Sequence, residues 1–153
     1  MWERLRRFSA LERPARALFL RASVWLPLIS LSLQLRGFRK TQAWLEKFLS
    51  VPNEKENPLG PELPALTARM VRAAGRHSVG HPSCLEESLA LWWLLGRQSI
   101  SSELRVGIRK DGEKLEAHAW VERQGAALNE PQARHLHYQA FDADLASPPT
   151  EPR

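Results

Sequence analysis

The chain has one cysteine in 153 residues. A single thiol excludes an internal disulfide framework and a multi-cysteine zinc site, and it fits a reducing, cytoplasmic setting. No glycine-rich phosphate loop occurs, so no motif argues for a nucleotide cofactor. The apolar stretch ASVWLPLISLSL (22–33) is too short to span a bilayer core of about 30 Å as a helix. Pro27 should kink it, and Arg21 and Arg36 bracket it. A buried or interfacial helix is expected there, with membrane contact left open but no spanning segment. No small-residue cleavage site stands out near the N-terminus, so no cleaved signal peptide is expected.

What is present is an ordinary globular composition, 43% hydrophobic, with a formal net charge of +5. Arginines concentrate in MWERLRRFSALERPARALFLR (1–21). Such a segment suits an acidic partner, a nucleic acid, an anionic membrane surface or a solvated helix face. Residues 2–49 read as helical with a break near Gly37: Leu31, Leu35 and Phe38, then Trp44, Leu45, Phe48 and Leu49, recur at helical spacing. VPNEKENPLGPELP (51–64) carries four prolines and a glycine and reads as a linker. ALTARMVRAAGRH (65–77) is expected to be a short helix ended by Gly75.

A further helix should open at Pro82-Ser83 and run to Gly96, with apolar residues around most of its circumference and hence a central, buried place. The period then changes. ELRVGIRK (103–110) alternates as a strand, Asp111-Gly112 reads as a hairpin turn, KLEAHAWVER (114–123) as a second strand and AALN (126–129) as a third. The order gives an α+β domain: an N-terminal helical region (1–50), the linker (51–64), a core (65–145) and an unstructured tail (146–153).

Three residues invite chemistry. Cys84 falls in the first turn of the central helix, where free backbone N–H groups and the macrodipole favour a thiolate or the oxyanion of a tetrahedral intermediate. Taken alone, a lone cysteine is more often a small buried filler. His118 sits mid-strand in phase with Glu116, Trp120 and Glu122, flanked by Ala117 and Ala119, which permit close approach of another element. A nucleophile and base need adjacency in space, and the base needs a third group to fix its tautomer. Glu130, in LNEP, is placed to supply it. His77 and His81 precede the cysteine and could line the cleft. His135 and His137 share one side of an expected strand but lack a third ligand at suitable spacing, so no metal is expected.

A cysteine opening a buried helix, a strand histidine in HAWVE and an acidic residue before proline resemble the transglutaminase-like, papain-related cysteine enzymes. The ordered set CLEESLALWWLL, LRVGIR and AHAWVERQGAALN, after LRGFRKTQAWLEKF, is similar to the stand-alone leader peptidases of lasso-peptide biosynthesis, over residues 15–131. The resemblance implies a papain/transglutaminase-like core with Cys84 as nucleophile, His118 as general base and then acid, and Glu130 as the orienting carboxylate. The family more usually has aspartate in that position, which leaves Asp142 and Asp144 as alternatives. Trp120 matches the family's tryptophan beside the base, and packing the sheet is an equal explanation for it. The substrate implied is a ribosomally made precursor peptide, cut beside a threonine near the leader's end. The partners implied are a separate leader-recognition protein and an asparagine-synthetase-like cyclase. Neither a cofactor nor nucleic acid is called for. An amidase or amine-transferring enzyme of the same fold stays open. So does a non-catalytic basic binding module contacting nucleic acid or membrane, which would show steep salt dependence and indifference to loss of Cys84.

Overall fold

The computed structural model describes residues 12–49, 60–78, 80–130 and 134–141. The expectations for residues 1–11, for most of the linker, for Asp142 and Asp144 and for the tail fall outside those residues.

Helix α1, Arg13–Glu46, starts with Pro14 in its first turn, where a missing N–H costs nothing. Before Gly37 its buried residues are Ala15, Leu18, Ala22, Leu26, Ile29 and Ser32, a stripe at helical spacing, and after it Thr41 and Leu45. Leu31 and Leu35, which also share helical spacing, face outward instead. At Gly37 the backbone leaves helical space (φ 76, ψ 174), so α1 is two helices joined by a kink. The positive φ suits glycine alone among common residues. A buried Ser32–Thr41 hydroxyl pair at 2.9 Å clasps the two arms. By length and composition α1 is apolar enough to cross a membrane, longer than the twelve-residue stretch suggested. Its Leu26 and Ile29, however, lie wholly inside the protein core.

Helix α2, Leu63–His77, begins two residues earlier than the sequence pattern suggested, after a 3-10 turn over Gly60–Glu62. Pro64 is accommodated because the second helical position needs no intrahelical N–H bond. Gly75 does not end this helix. It lies inside it and is buried, at a point where an added Cβ would run into the Glu87 carboxylate and the Pro82 ring. Its role is close approach of two helices rather than a left-handed cap.

Helix α3, Cys84–Arg97, is the central element. Ser88, Leu89, Ala90, Leu91, Trp93, Leu94 and Leu95 are all buried, which explains the apolar character around its circumference. Trp93 packs at a tilt against Trp25 of α1 with ring centroids 4.0 Å apart, and Trp25 also meets Trp44 at 5.8 Å.

The sheet is antiparallel, in the order β3-β2-β1-β4, with β1 Glu103–Asp111, β2 Lys114–Arg123, β3 Ala126–Ala127 and β4 Gln139–Phe141. The β1–β2 turn falls one residue later than expected. Asp111 pairs with Lys114, so the two-residue turn is Gly112-Glu113, with Gly112 at φ 62. Gln124 (φ 51) and Gly125 (φ 78) make the β2–β3 turn, where both central residues take positive φ. Strand β3 is shorter than the sequence suggested, for a specific reason. The Leu128 N–H still donates to the Val121 carbonyl at 2.8 Å, but the Val121 N–H then donates to the Asn129 side chain, 2.9 Å away. A side chain replaces the next rung of the ladder. The HLH segment is a 3-10 turn, Arg134–His137, and not the strand expected.

Candidate active site

Cys84 is the first residue of α3, with Ser83 as its N-cap. Ser83 accepts from the Glu86 N–H, while the Glu86 carboxylate accepts from the Ser83 N–H at 2.5 Å, a reciprocal capping box that defines where the helix begins. The chain reaches this point through Gly80 (φ 94) and His81 (φ 46), two consecutive left-handed residues. His81 is exposed there, and His77 at the end of α2 packs edge-on to Phe19.

The field at this helix start is shared. Glu86 and Glu87 both stand in the first turn. Burial works against the Glu86 carboxylate, but hydrogen bonds from Ser30 and from the Ser83 backbone and side chain outweigh it and hold its pKa below the ordinary value. Burial raises the pKa of Glu87, against the opposing pull of Arg72 and Arg76. The half-buried Cys84 thiol therefore opens a helix whose positive end already serves two carboxyl groups.

His118 pairs across the sheet with Gly107. Its Nε2 lies 2.5 Å from Glu130 Oε1, and the two side chains are 16% and 7% exposed. With a carboxylate as acceptor, Nε2 is the donor in this pair, which leaves Nδ1 as the ring nitrogen outside it. The imidazole meets two aromatic rings, Trp120 at 6.0 Å in near-parallel stacking and Tyr138 at 5.1 Å, tilted. Tyr138 is held in turn by Arg109 over its ring and by a hydrogen bond to Glu116. Gly107 leaves room for Trp120: a Cβ there would come within 2.9 Å of its ring.

His118 and Glu130 are thus brought together. The Cys84 thiol forms no hydrogen bond among the described residues, to His118 or to any other group. What ties it to the pair is a buried network one helical turn away. Ser88, four residues after Cys84 and so on the same helical face, donates to the Ala119 carbonyl at 2.9 Å. Asn129 Nδ2 donates to Ser88 Oγ at 2.9 Å, and Arg72 donates to the Asn129 carbonyl at 2.6 Å. Ala119 follows His118 and Asn129 precedes Glu130, so this network aligns the helix of Cys84 with both neighbours. Sequence reasoning missed Ser88, Asn129, Arg72 and Tyr138. Only the i+4 spacing of Ser88 from Cys84 could have signalled any of them.

Among the described residues no three histidine, cysteine or acidic side chains cluster to hold a metal. The arrangement is a carboxylate-oriented imidazole beside a helix that opens on a cysteine, a class of site suited to acyl transfer. The model of the transglutaminase-like superfamily matches residues 25–141, and the chain belongs to that superfamily. No curated protein and no solved structure matches the chain. The superfamily is compatible with cysteine peptidase or acyl-transfer activity on this α+β fold.

Proposed function

We infer that the protein is a cysteine peptidase that removes the leader from a ribosomally synthesised lasso-peptide precursor. Cys84 attacks the scissile carbonyl, and its proton passes to His118 Nδ1. His118 returns that proton to the leaving amine, and water then hydrolyses the thioester, again with His118 as base. Glu130 holds the imidazole tautomer throughout and stabilises the imidazolium. The 2.5 Å contact between His118 and Glu130 is the observation that carries this reading, together with the order of motifs around it. A separate leader-recognition protein delivers the precursor, and an asparagine-synthetase-like cyclase takes the released core.

The test is reconstitution. The protein is mixed with a precursor and leader-binding protein encoded beside it, and products are read by mass spectrometry. Cleavage by wild type and its loss in Cys84→Ala support the proposal. Wild-type rates from Cys84→Ala overturn it. Stable amine incorporation in place of hydrolysis would move the protein to amine transfer on the same site.

A further inference from the structure

Helix α1 carries a row of outward apolar side chains that the fold leaves uncovered. Leu20, Val24, Leu28, Leu31 and Leu35 are 54%, 58%, 44%, 52% and 74% exposed. Their spacings of four, four, three and four residues put them on one face of a helix, a stripe about 22 Å long. The opposite face, Leu18, Ala22, Leu26 and Ile29, packs in the core, so in this fold the stripe points outward.

Along the helix itself the charges are of one sign up to Leu45, with Glu12 just before it, Glu46 at its end and Glu86 of α3 reaching Ser30. From Arg13 to Leu45 the chain has six basic side chains, Arg13, Arg16, Arg21, Arg36, Arg39 and Lys40, and no acidic one. They gather at the two ends: Arg13 lies on the stripe's own line, seven residues before Leu20, and Arg36 directly follows Leu35. The apolar middle has no charged side chain between Arg21 and Arg36. Aliphatic side chains alone would suit an apolar protein groove as well as a lipid phase. Aliphatic residues with cations at both ends do match an interface of acyl chains beneath anionic headgroups.

We propose that α1 docks this protein on an anionic phospholipid surface, lying in the plane of the interface with Leu20, Val24, Leu28, Leu31 and Leu35 inserted at the acyl boundary. The core stays on the aqueous side. This contact is independent of the peptidase reading, and its test requires no substrate.

Full-length protein is sedimented with vesicles of phosphatidylcholine alone and of phosphatidylcholine with about a quarter phosphatidylglycerol. Binding is expected to the second and not the first, and to weaken with added salt. The double variant Leu28→Gln, Leu31→Gln alters only exposed positions, so circular dichroism melts should match wild type while the vesicle-bound fraction falls about fivefold or more. Absence of binding to the anionic vesicles overturns the proposal, as does binding that the double variant leaves unchanged. A wild-type dimer that the double variant converts to monomer also overturns it, since a second copy would then cover the stripe.

Discussion

The Ser88 hydroxyl and the Asn129 side-chain amide meet 2.9 Å apart, joining the helix that opens on Cys84 to the segment that presents Glu130. Ser88 is fully buried, and its own proton goes to the Ala119 carbonyl beside His118. The position of one candidate residue relative to the other two therefore rests on a hydroxyl that touches none of them.

Ser88→Ala should cost about 1–3 kcal/mol, because it strands a buried amide N–H and a buried carbonyl. Cleavage should fall more than stability explains, through kcat rather than KM, as the imidazole and carboxylate lose their alignment with α3. Ser88→Thr, which keeps the hydroxyl, should recover part of the rate. Equal kcat for wild type and Ser88→Ala at a temperature where both are folded would reduce the network to a packing feature.

Gly107 faces the Trp120 ring and the Gln139 carbonyl, at 2.9 Å and 3.0 Å from any added Cβ. One neighbour is a buried indole and the other is backbone, and neither can yield cheaply. Gly107→Ala should therefore destabilise the protein by about 1–3 kcal/mol. Because Trp120 stacks on His118, turnover should drop as well. Thermal melts and rates measured on the same preparation check both halves.

The Glu86 carboxylate caps α3 and has a lowered pKa in the folded protein. A group of that kind contributes stability above the ordinary carboxylate range and loses it as pH falls through the folded value. Glu86→Ala should cost about 1 kcal/mol near neutral pH, and the gap to wild type should close as acidification carries the protein below the ordinary carboxylate range. Denaturant melts of both proteins across that range decide it. A gap that persists in acid would assign the cost to packing rather than charge.

Much of this architecture was legible in the chain. The helix from Cys84 announced itself through Pro82-Ser83 and through leucine and tryptophan on all sides, and β1 and β2 through strict alternation. Backbone placement of individual turns was less legible. Asp111-Gly112 has the right composition for a turn, yet Asp111 spends its backbone on Lys114 and the turn slides to Gly112-Glu113. Gly75 looked like a stop because glycine's two uses, left-handed caps and close contacts, share one letter. In α1 the spacing of leucines could not reveal which face is buried, because a serine–threonine hydrogen bond, not a leucine, secures the fold near Gly37. At the site, residue types and order suggested Cys84, His118 and Glu130. Ser88, Asn129 and Tyr138 act through contacts between elements distant in sequence, which periodicity does not encode.

Glu130 stands where the resemblance to the leader peptidases implies an aspartate, and its geometry makes a graded prediction. Its Oε1 sits on His118 Nε2, so an acceptor is required there if Nδ1 is to receive the thiol's proton. Glu130→Gln preserves shape but can offer an N–H to that nitrogen, favouring the wrong tautomer, and cannot stabilise an imidazolium. Cleavage should fall by roughly 10²-fold or more, with the melting temperature moving far less than the rate. Glu130→Asp keeps the charge and shortens the reach by one methylene, so much of the activity should return, with any loss in kcat. Burial of Glu130 at 7% exposure means that truncation to alanine confounds folding with catalysis, which is why the Gln and Asp pair is the decisive comparison. Full activity in Glu130→Gln would remove the carboxylate from the mechanism and leave Cys84 and His118 to act as a pair.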